Sequence, residues 1–409
     1  MTPKMILKCA ALLAVGFLAA QVCAKESLWK QDKFLITFWC PPPATKEIIT
    51  TVANEGFNLT WTPEYGLDVV RGHGVKSMLQ DDLLTPSALD SPEKRKKLDE
   101  LINRVRKHPS LEAYYIADEP KASDFPSLGR LVAYLRERDP THVAYINLYP
   151  IYATNQQLGI EGTPLEAYQE YLRQYIEVVK PALISYDHYH FFKTRDGDQY
   201  FLNLEMIRQV SLDSGLPFLN IIQASVSEKG WRLVNSDELR WLVYTTLAYG
   251  GRGISYYLYW GPSAYGGIYQ DGKRTSLIDA IAPLNKEIAA QGKTLMDLGS
   301  LGVYHTDPLP AGTKPIPASS PVRFVGPRNF ILGLFGKNNN VTTFMVVNRN
   351  YKKMMTAQLV LRPDVLIIEE FDRTSKIWKV YQALNSEHTM SVTLSPGDGR
   401  LFRIAYRTE

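Results

Sequence analysis

Leu111-Glu112-Ala113-Tyr114-Tyr115-Ile116-Ala117-Asp118-Glu119-Pro120 starts as an apolar, aromatic run of strand length and ends in two acids and a proline. Such a run reads as a strand, and the acids with the proline read as the loop that leaves it. Helical periodicity follows over Phe125 to Arg138, so the local unit is strand, acidic loop, helix. The unit recurs in both directions. Strand-like runs stand at Phe34 to Trp39, Phe57 to Thr62, Val75 to Asp81, His142 to Leu148, Leu183 to Tyr189, Pro217 to Gln223 and Gly253 to Trp260. Helix-like segments alternate with them at Thr45 to Glu55, Leu67 to Arg71, Pro92 to Lys107, Pro164 to Val179, Phe201 to Ser214, Ser236 to Tyr249 and Leu277 to Leu298. Eight alternations with no extra strand predict an α/β fold, the (β/α)8 TIM barrel. An open doubly wound sheet needs a glycine-rich turn after its first strand; Cys40-Pro41-Pro42-Pro43 stands there instead, which argues against nucleotide binding. Ser91-Pro92 and Ser236 read as helix starts, and Gly215 and Gly250 as helix ends.

After Leu298 the pattern changes. Pro308, Pro310, Pro315, Pro317 and Pro321 form a linker-like passage, followed by short alternating runs at Phe330 to Phe335, Thr342 to Val347, Thr356 to Leu361, Ile377 to Gln382 and Leu401 to Ala405. These predict a small C-terminal antiparallel β-sandwich packed on the barrel. The expected organisation is a signal segment over 1–24, a catalytic barrel over 25–298 and the sandwich over 299–409.

In the signal segment Lys4 and Lys8 supply a positive start, Ile6 to Ala20 is an almost unbroken apolar run, and Val22-Cys23-Ala24 offers small residues before a cut, so a secreted or periplasmic protein is expected. The run is short for a bilayer span. Val22 before Cys23 fits poorly with the small residue that lipid attachment expects. Of three cysteines only Cys40 lies beyond Ala24, so no internal disulfide is expected and core size must supply stability. The 46 Lys and Arg against 42 Asp and Glu leave a scattered charge of +4, which excludes a nucleic-acid binder. Tyrosine dominates the aromatics, 24 against 15 Phe and 7 Trp, a bias towards rings with a polar handle that suits a polar, ring-shaped ligand.

A barrel of this kind builds its active site from the C-terminal strand ends. The fourth strand ends in Asp118-Glu119-Pro120, the fifth in Asn147-Leu148-Tyr149, and the sixth in Asp187-His188-Tyr189-His190. The second contributes Trp61, the seventh Gln223, and the eighth Tyr257 and Trp260. Carboxylates, amides and flat rings on one rim are what cleavage of a glycosidic bond needs: an acid for the leaving oxygen, a second charge for the oxocarbenium-like transition state, and rings for sugar faces. Glu119 is the expected proton donor, Asp118 or Asp187 the second carboxylate. Trp61, Asn147, Tyr189, His188, Gln223, Tyr257 and Trp260 are the expected substrate contacts. His188 and His190 share a face as a metal pair would, but no third ligand motif accompanies them, so neither metal nor cofactor is expected. Asp81-Asp82 and Asp271 read first as turn or cap residues.

The Asp118-Glu119 pair resembles that of the barrel hexosaminidases that work by substrate assistance. The resemblance implies Glu119 as acid/base and Asp118 as the residue orienting a substrate acetamido group. The same strand end is similar to that of the clan A retaining glycosidases, from which the chain departs twice: Asp118 stands where Asn is usual, and Gln223 where a nucleophilic Glu is expected. Glu228, five residues on in the loop, takes the place of that Glu only if the loop folds back. Pairing the fourth-strand acid with Asp187 is similar to the strand arrangement of the clan D galactosidases. Met345 to Arg349 and Pro396 to Phe402 resemble the accessory sandwich of secreted barrel glycosidases. The implied substrate is an oligosaccharide or polysaccharide.

Overall fold

The computed structural model describes residues 27–227, 230–384 and 387–406. The expected signal segment and Glu228 lie outside the described residues. Eight parallel strands form one sheet: β1 (Leu35–Phe38), β2 (Leu59–Thr62), β3 (Lys76–Leu79), β4 (Leu111–Asp118), β5 (Val143–Leu148), β6 (Ile184–Asp187), β7 (Phe218–Gln223) and β8 (Gly253–Tyr257). They pair in the order β1-β8-β7-β6-β5-β4-β3-β2, nearly closing a cylinder. Asn58 fastens the remaining seam between β1 and β2. Its backbone N–H donates to the Ile36 carbonyl (3.0 Å), its Oδ1 accepts from the Ile36 N–H (2.9 Å), and its Nδ2 donates to the Phe34 carbonyl (2.8 Å). One side chain thereby stands in for ladder bonds and relieves two strand edges.

The intervening helices are α1 (Lys46–Asn54), α2 (Gly66–Val70), α3 (Pro92–Val105), α4 (Phe125–Arg138), α5 (Asn155–Leu158), α6 (Pro164–Gln174), α7 (Tyr200–Ser214), α8 (Ser236–Ala248) and α9 (Leu277–Met296). The chain is therefore a (β/α)8 TIM barrel, as its periodicity predicts. Two details differ from the sequence reading. The helix expected to run to Val179 ends its α-helical part at Gln174 and finishes in a π-turn, Tyr175–Val179. The cap of α8 is Asn235, one residue before the expected Ser236: its Oδ1 accepts from the N–H groups of Asp237 (2.9 Å) and Glu238 (3.0 Å), while the Glu238 carboxylate accepts from the Asn235 N–H.

Beyond β8 three short strands, β9 (Trp260–Gly261), β10 (Tyr269–Gln270) and β11 (Lys273–Arg274), fold over the rim. The C-terminal sheets contain β12 (Gly299–His305), β13 (Val322–Gly326), β14 (Phe330–Lys337), β15 (Asn340–Asn348), β16 (Met355–Leu361), β17 (Val365–Asp372), β18 (Ile377–Ala383), β19 (Thr389–Leu394) and β20 (Gly399–Tyr406). A larger antiparallel sheet, β12-β14-β15-β20-β17-β18, faces a smaller one, β13-β16-β19. Alternation along the larger sheet divides its side chains between two cores. Phe330, Leu332, Leu334, Phe344, Val346 and Phe402 enter the core between the two sheets, whereas Ile331, Phe335, Met345, Val347 and Leu401 join the barrel's own core. Gly333 sits where the sheet meets α8; a Cβ there would lie 2.5 Å from the Ala248 carbonyl oxygen.

Candidate active site

Local irregularities aim the acids of β4 inward. Tyr115 pairs with Tyr145 in β5, but the register then slips, so that Ala117 pairs with Ile146 and Asp118 with Asn147. This bulge inverts the alternation and turns Asp118, which regular pleating would send outward, to the interior. Glu119 then adopts a left-handed backbone (φ 45°), its N–H held by the Asn147 carbonyl at 2.9 Å. A non-glycine residue in this region is strained and persists where its surroundings hold it. The two neighbouring acids, which an extended chain would send to opposite faces, here line one cavity.

That cavity, about 190 Å³, lies at the C-terminal end of the barrel and is lined by Trp39, Asp118, Glu119, Asn147, Asp187, Tyr189, Ile221, Trp231 and Tyr257. At roughly 30 Å³ per water it has room for about six waters, the scale of one sugar ring. Tyr189 forms an aromatic wall between Trp231 (4.9 Å between centroids, 39° between planes) and Tyr257 (5.3 Å, 34°). A larger open cleft, about 810 Å³, lies at the opposite end among Trp29, Arg136, Lys180, Arg208 and Arg252. Its arginines are engaged: Arg136 by the Lys180 carbonyl, Arg208 by Ser300, Arg252 by the Leu295 and Leu298 carbonyls. Among the described residues no carboxylate lines that cleft, whereas three line the smaller cavity.

The three carboxyl groups form one cluster. Asn147 Nδ2 donates to Asp118 Oδ1 at 3.0 Å and to Asp187 Oδ1 at 3.1 Å, and the Glu119 and Asp187 carboxyls are within hydrogen-bonding reach. Burial, then the charges of Asp187 and Asp118, push the Glu119 carboxyl far above the usual carboxylate range. Burial also raises Asp187, against the pull of Asn147. Asp118 is open to solvent through the cavity yet ringed by protein; that ring raises its carboxyl and Asn147 opposes the rise. Both carboxyls of the pair in contact are thus held above the usual carboxylate range. A cluster of this composition keeps a proton at neutral pH.

Of the other expected site residues, the structure brings Asn147, Tyr189 and Tyr257 to the cavity. Four of the expected substrate contacts lie outside the cavity lining. Trp61 is 3% exposed and packs below the cavity against Trp39 and Tyr115, both at 4.7 Å, because its alternation places it in the barrel's interior filling. Gln223 is fully buried and ties two loops together: its Oε1 accepts from the N–H groups of His190 (3.1 Å) and Phe191 (2.9 Å), and its Nε2 donates to the carbonyls of Phe191 (3.0 Å) and Arg232 (2.6 Å). His188 faces away from Asp187 and meets Asn203 of α7 at 2.9 Å, its pKa pushed down to about 4 by burial. Trp260 stacks on Tyr269 (5.6 Å) outside the cavity lining, held there by the β9–β10 pairing. His190 stacks on Trp241 of α8 (4.8 Å, 23°), so the two histidines do share a face, but that face meets helices. Asp81 accepts from the Leu83 N–H and Asp271 from the Ser263 N–H, both as turn residues.

Three lining residues lie outside the expected set: Trp39, Ile221 and Trp231. Trp39 lies one residue beyond β1. Trp231 belongs to the loop after β7, bridges to Phe192 and donates from Nε1 to Ser225 Oγ at 3.4 Å. Its only signal in the sequence is a lone tryptophan in a polar loop, which strand-end reasoning passes over.

No family model and no curated protein sequence matches the chain. Solved structures match it in fold. A family 42 β-galactosidase from G. stearothermophilus superposes over 93% of this chain and 100% of its own at 9% identity, with a TM-score of 0.55. A family 39 glycoside hydrolase from the gut symbiont Bacteroides cellulosilyticus WH2 covers 91% of this chain and 81% of its own at 10% identity, TM-score 0.51. An α-galactosidase from Saccharomyces cerevisiae, solved with raffinose, covers 92% of this chain and 98% of its own at 6% identity, TM-score 0.50. At such identities the likeness is one of architecture: a TIM barrel with C-terminal antiparallel sheets.

Proposed function

We propose that the protein is a glycoside hydrolase that holds one sugar residue of an oligosaccharide or polysaccharide at the barrel rim, with Glu119 as general acid/base. The observation that carries this reading is the cluster of Asp118, Glu119 and Asp187 beneath the Tyr189, Trp231 and Tyr257 wall, in which burial and the neighbouring acids lift the Glu119 carboxyl far above its usual range. Protonation of a glycosidic oxygen needs a carboxylic acid still neutral near pH 7, and burial beside two acids supports that state. Direct contact between the Glu119 and Asp187 carboxyls is closer than the about 5–5.5 Å that separates an acid from a nucleophile across a sugar. That contact favours Asp118 as the second charge at the reacting carbon and Asp187 as the partner that holds Glu119. The architecture shared with the glycosidases above supports the same class, and the sequence of the first 24 residues supports secretion. No helix among the described residues is long and apolar enough to cross a membrane.

The test is hydrolysis of a panel of aryl glycosides, N-acetylhexosaminides included, by the chain from Lys25 to Glu409 and by Glu119→Gln. Turnover that falls by about 10²–10⁴-fold in the variant is the expected result. Full activity in Glu119→Gln would remove Glu119 from the mechanism. Gln223 favours one second reading, a carbohydrate-binding protein on a barrel without a seventh-strand nucleophile. Sugar binding by calorimetry with no turnover of any glycoside would select it.

A further inference from the structure

Three carboxyls share the cavity, and among the described residues no cation lines it. The groups that face them from the surrounding elements are Cys40 beyond β1, Tyr115 on β4, Tyr149 and Tyr152 beyond β5, Tyr168 on α6, Tyr189 beyond β6 and Tyr257 on β8. All are thiols or phenols that burial keeps neutral. Mutual repulsion explains why the cluster retains a proton, but it does not select the owner, because each acid repels the others alike.

Asn147 supplies the asymmetry. Its two amide hydrogens go to Asp118 Oδ1 and Asp187 Oδ1. Its Oδ1 accepts from Ser185 Oγ at 3.2 Å. That commits the single Ser185 hydrogen, so the Tyr145 hydroxyl, 2.7 Å from Ser185 Oγ, is the donor in that contact. Tyr145 is wholly enclosed, and burial raises its phenol so that it remains a donor. The chain Tyr145, Ser185, Asn147 therefore runs in one direction. Turning the Asn147 amide over would aim its oxygen at two carboxylates and leave Ser185 facing an N–H group. Glu119 receives no hydrogen from this chain. Its contact within the cluster is with Asp187, which already accepts from Asn147.

We propose that Asn147 is a positioning residue: its locked amide marks Asp118 and Asp187 as acceptors and so assigns the cluster's one proton to Glu119. The importance of this assignment for catalysis rests on the glycosidase reading, but the assignment is testable without turnover. Hydrogen bonds to an ionised carboxylate are stronger than those to a neutral one, so two donors from one amide bias two of the three acids towards ionisation. A residue that merely filled the barrel interior would leave the proton's owner unchanged on replacement.

The experiment is isotope-edited infrared spectroscopy of the chain from Lys25 to Glu409 near neutral pH, with ¹³C-carboxyl label placed in glutamate or in aspartate. In the wild type a protonated-carboxyl band that moves with the glutamate label and is missing from Glu119→Gln is expected. In Asn147→Ala that band should pass wholly or partly to the aspartate label. Ser185→Ala, which keeps Asn147 but frees its amide to turn, should lower the midpoint of the glutamate band by about one pH unit, a tenfold change in proton affinity. Ser185→Thr, which keeps the hydroxyl donor, should restore it. If Asn147→Ala does not fold, the Ser185 pair carries the test. A wild-type band on aspartate, no protonated band at all, or a glutamate band unmoved by folded Asn147→Ala or by Ser185→Ala overturns the inference. Where the wild type turns over a glycoside, the alkaline limb of its pH profile should move to lower pH in the same variants. Absence of turnover with the bands behaving as stated would fail the glycosidase reading alone.

Discussion

Glu119 is held in a conformation and a protonation state that both cost folding free energy: a left-handed backbone and a carboxyl crowded by two other acids. The unfolded chain releases this proton near the ordinary value of 4.5, whereas the folded chain keeps it to a much higher pH. Folded protein therefore binds more protons across that window, and stability falls as pH rises through it. Glu119→Gln removes the titration. Its melting temperature should equal the wild type's near about pH 4 and exceed it by a few degrees near about pH 9, at roughly 2–4 °C per kcal/mol. A difference independent of pH would show that the Glu119 carboxyl titrates normally. Gln223 makes the opposite case, a residue whose place in the chain suggests chemistry and whose contacts are structural. Gln223→Glu would set a carboxylate against the Phe191 and Arg232 carbonyls, with a cost of about 3 kcal/mol or more. Calorimetry should show a lowered melting temperature without any gain in glycoside turnover; a gain would mean that the position reaches the sugar. Both residues carry acidic or amide side chains at strand ends, and the sequence alone separates them no further. What divides them is the partner set, fixed by residues 191 and 232 in one case and by 147 and 187 in the other.

Elements were legible where pleating was regular. The barrel strands alternate with amphipathic helices over most of their length, so periodicity located them to within a few residues, and α4 was read at its observed ends, Phe125 and Arg138. The bulge in β4 was not legible, because no residue type signals it; Ile116 and Ala117 suit either register. The same limit hid β17, whose register shift against β20 between Val365 and Ile367 leaves Leu366 and Ile367 exposed together and destroys the period-two pattern. In β12 two glycines weaken the strand signal, and β13 is short. By contrast β19 buries Met390, Val392 and Leu394 in clean alternation, a period-two pattern that the sequence does carry. Close approach between elements yields a further prediction. Gly333→Ala places a methyl group against the Ala248 carbonyl, so β14 and α8 must separate, with a loss of about 1–3 kcal/mol in chemical denaturation. An unchanged denaturation midpoint would show that the sheet and helix yield without strain.

At the scale of the molecule the larger C-terminal sheet is a middle layer, with the barrel on one side and the smaller sheet on the other. Trp241 and Tyr244 of α8, both buried, lie against the turn at Gly397 and the start of β20 at Gly399. A chain ended after Leu298 should therefore expose these rings and be recovered aggregated, whereas the whole chain remains soluble on gel filtration. Soluble, monomeric barrel from the shortened chain would show that the sheet is dispensable to it. The middle layer has a second consequence, which concerns the order in which the molecule is made. Phe330 to Phe335 and Phe344 to Val347 bury both faces of their strands, and such runs, free in water, are prone to stack on their own kind. They leave the ribosome after the barrel that covers one of their faces. The outer surface of α8 is thus already in place to receive this apolar stretch as it emerges.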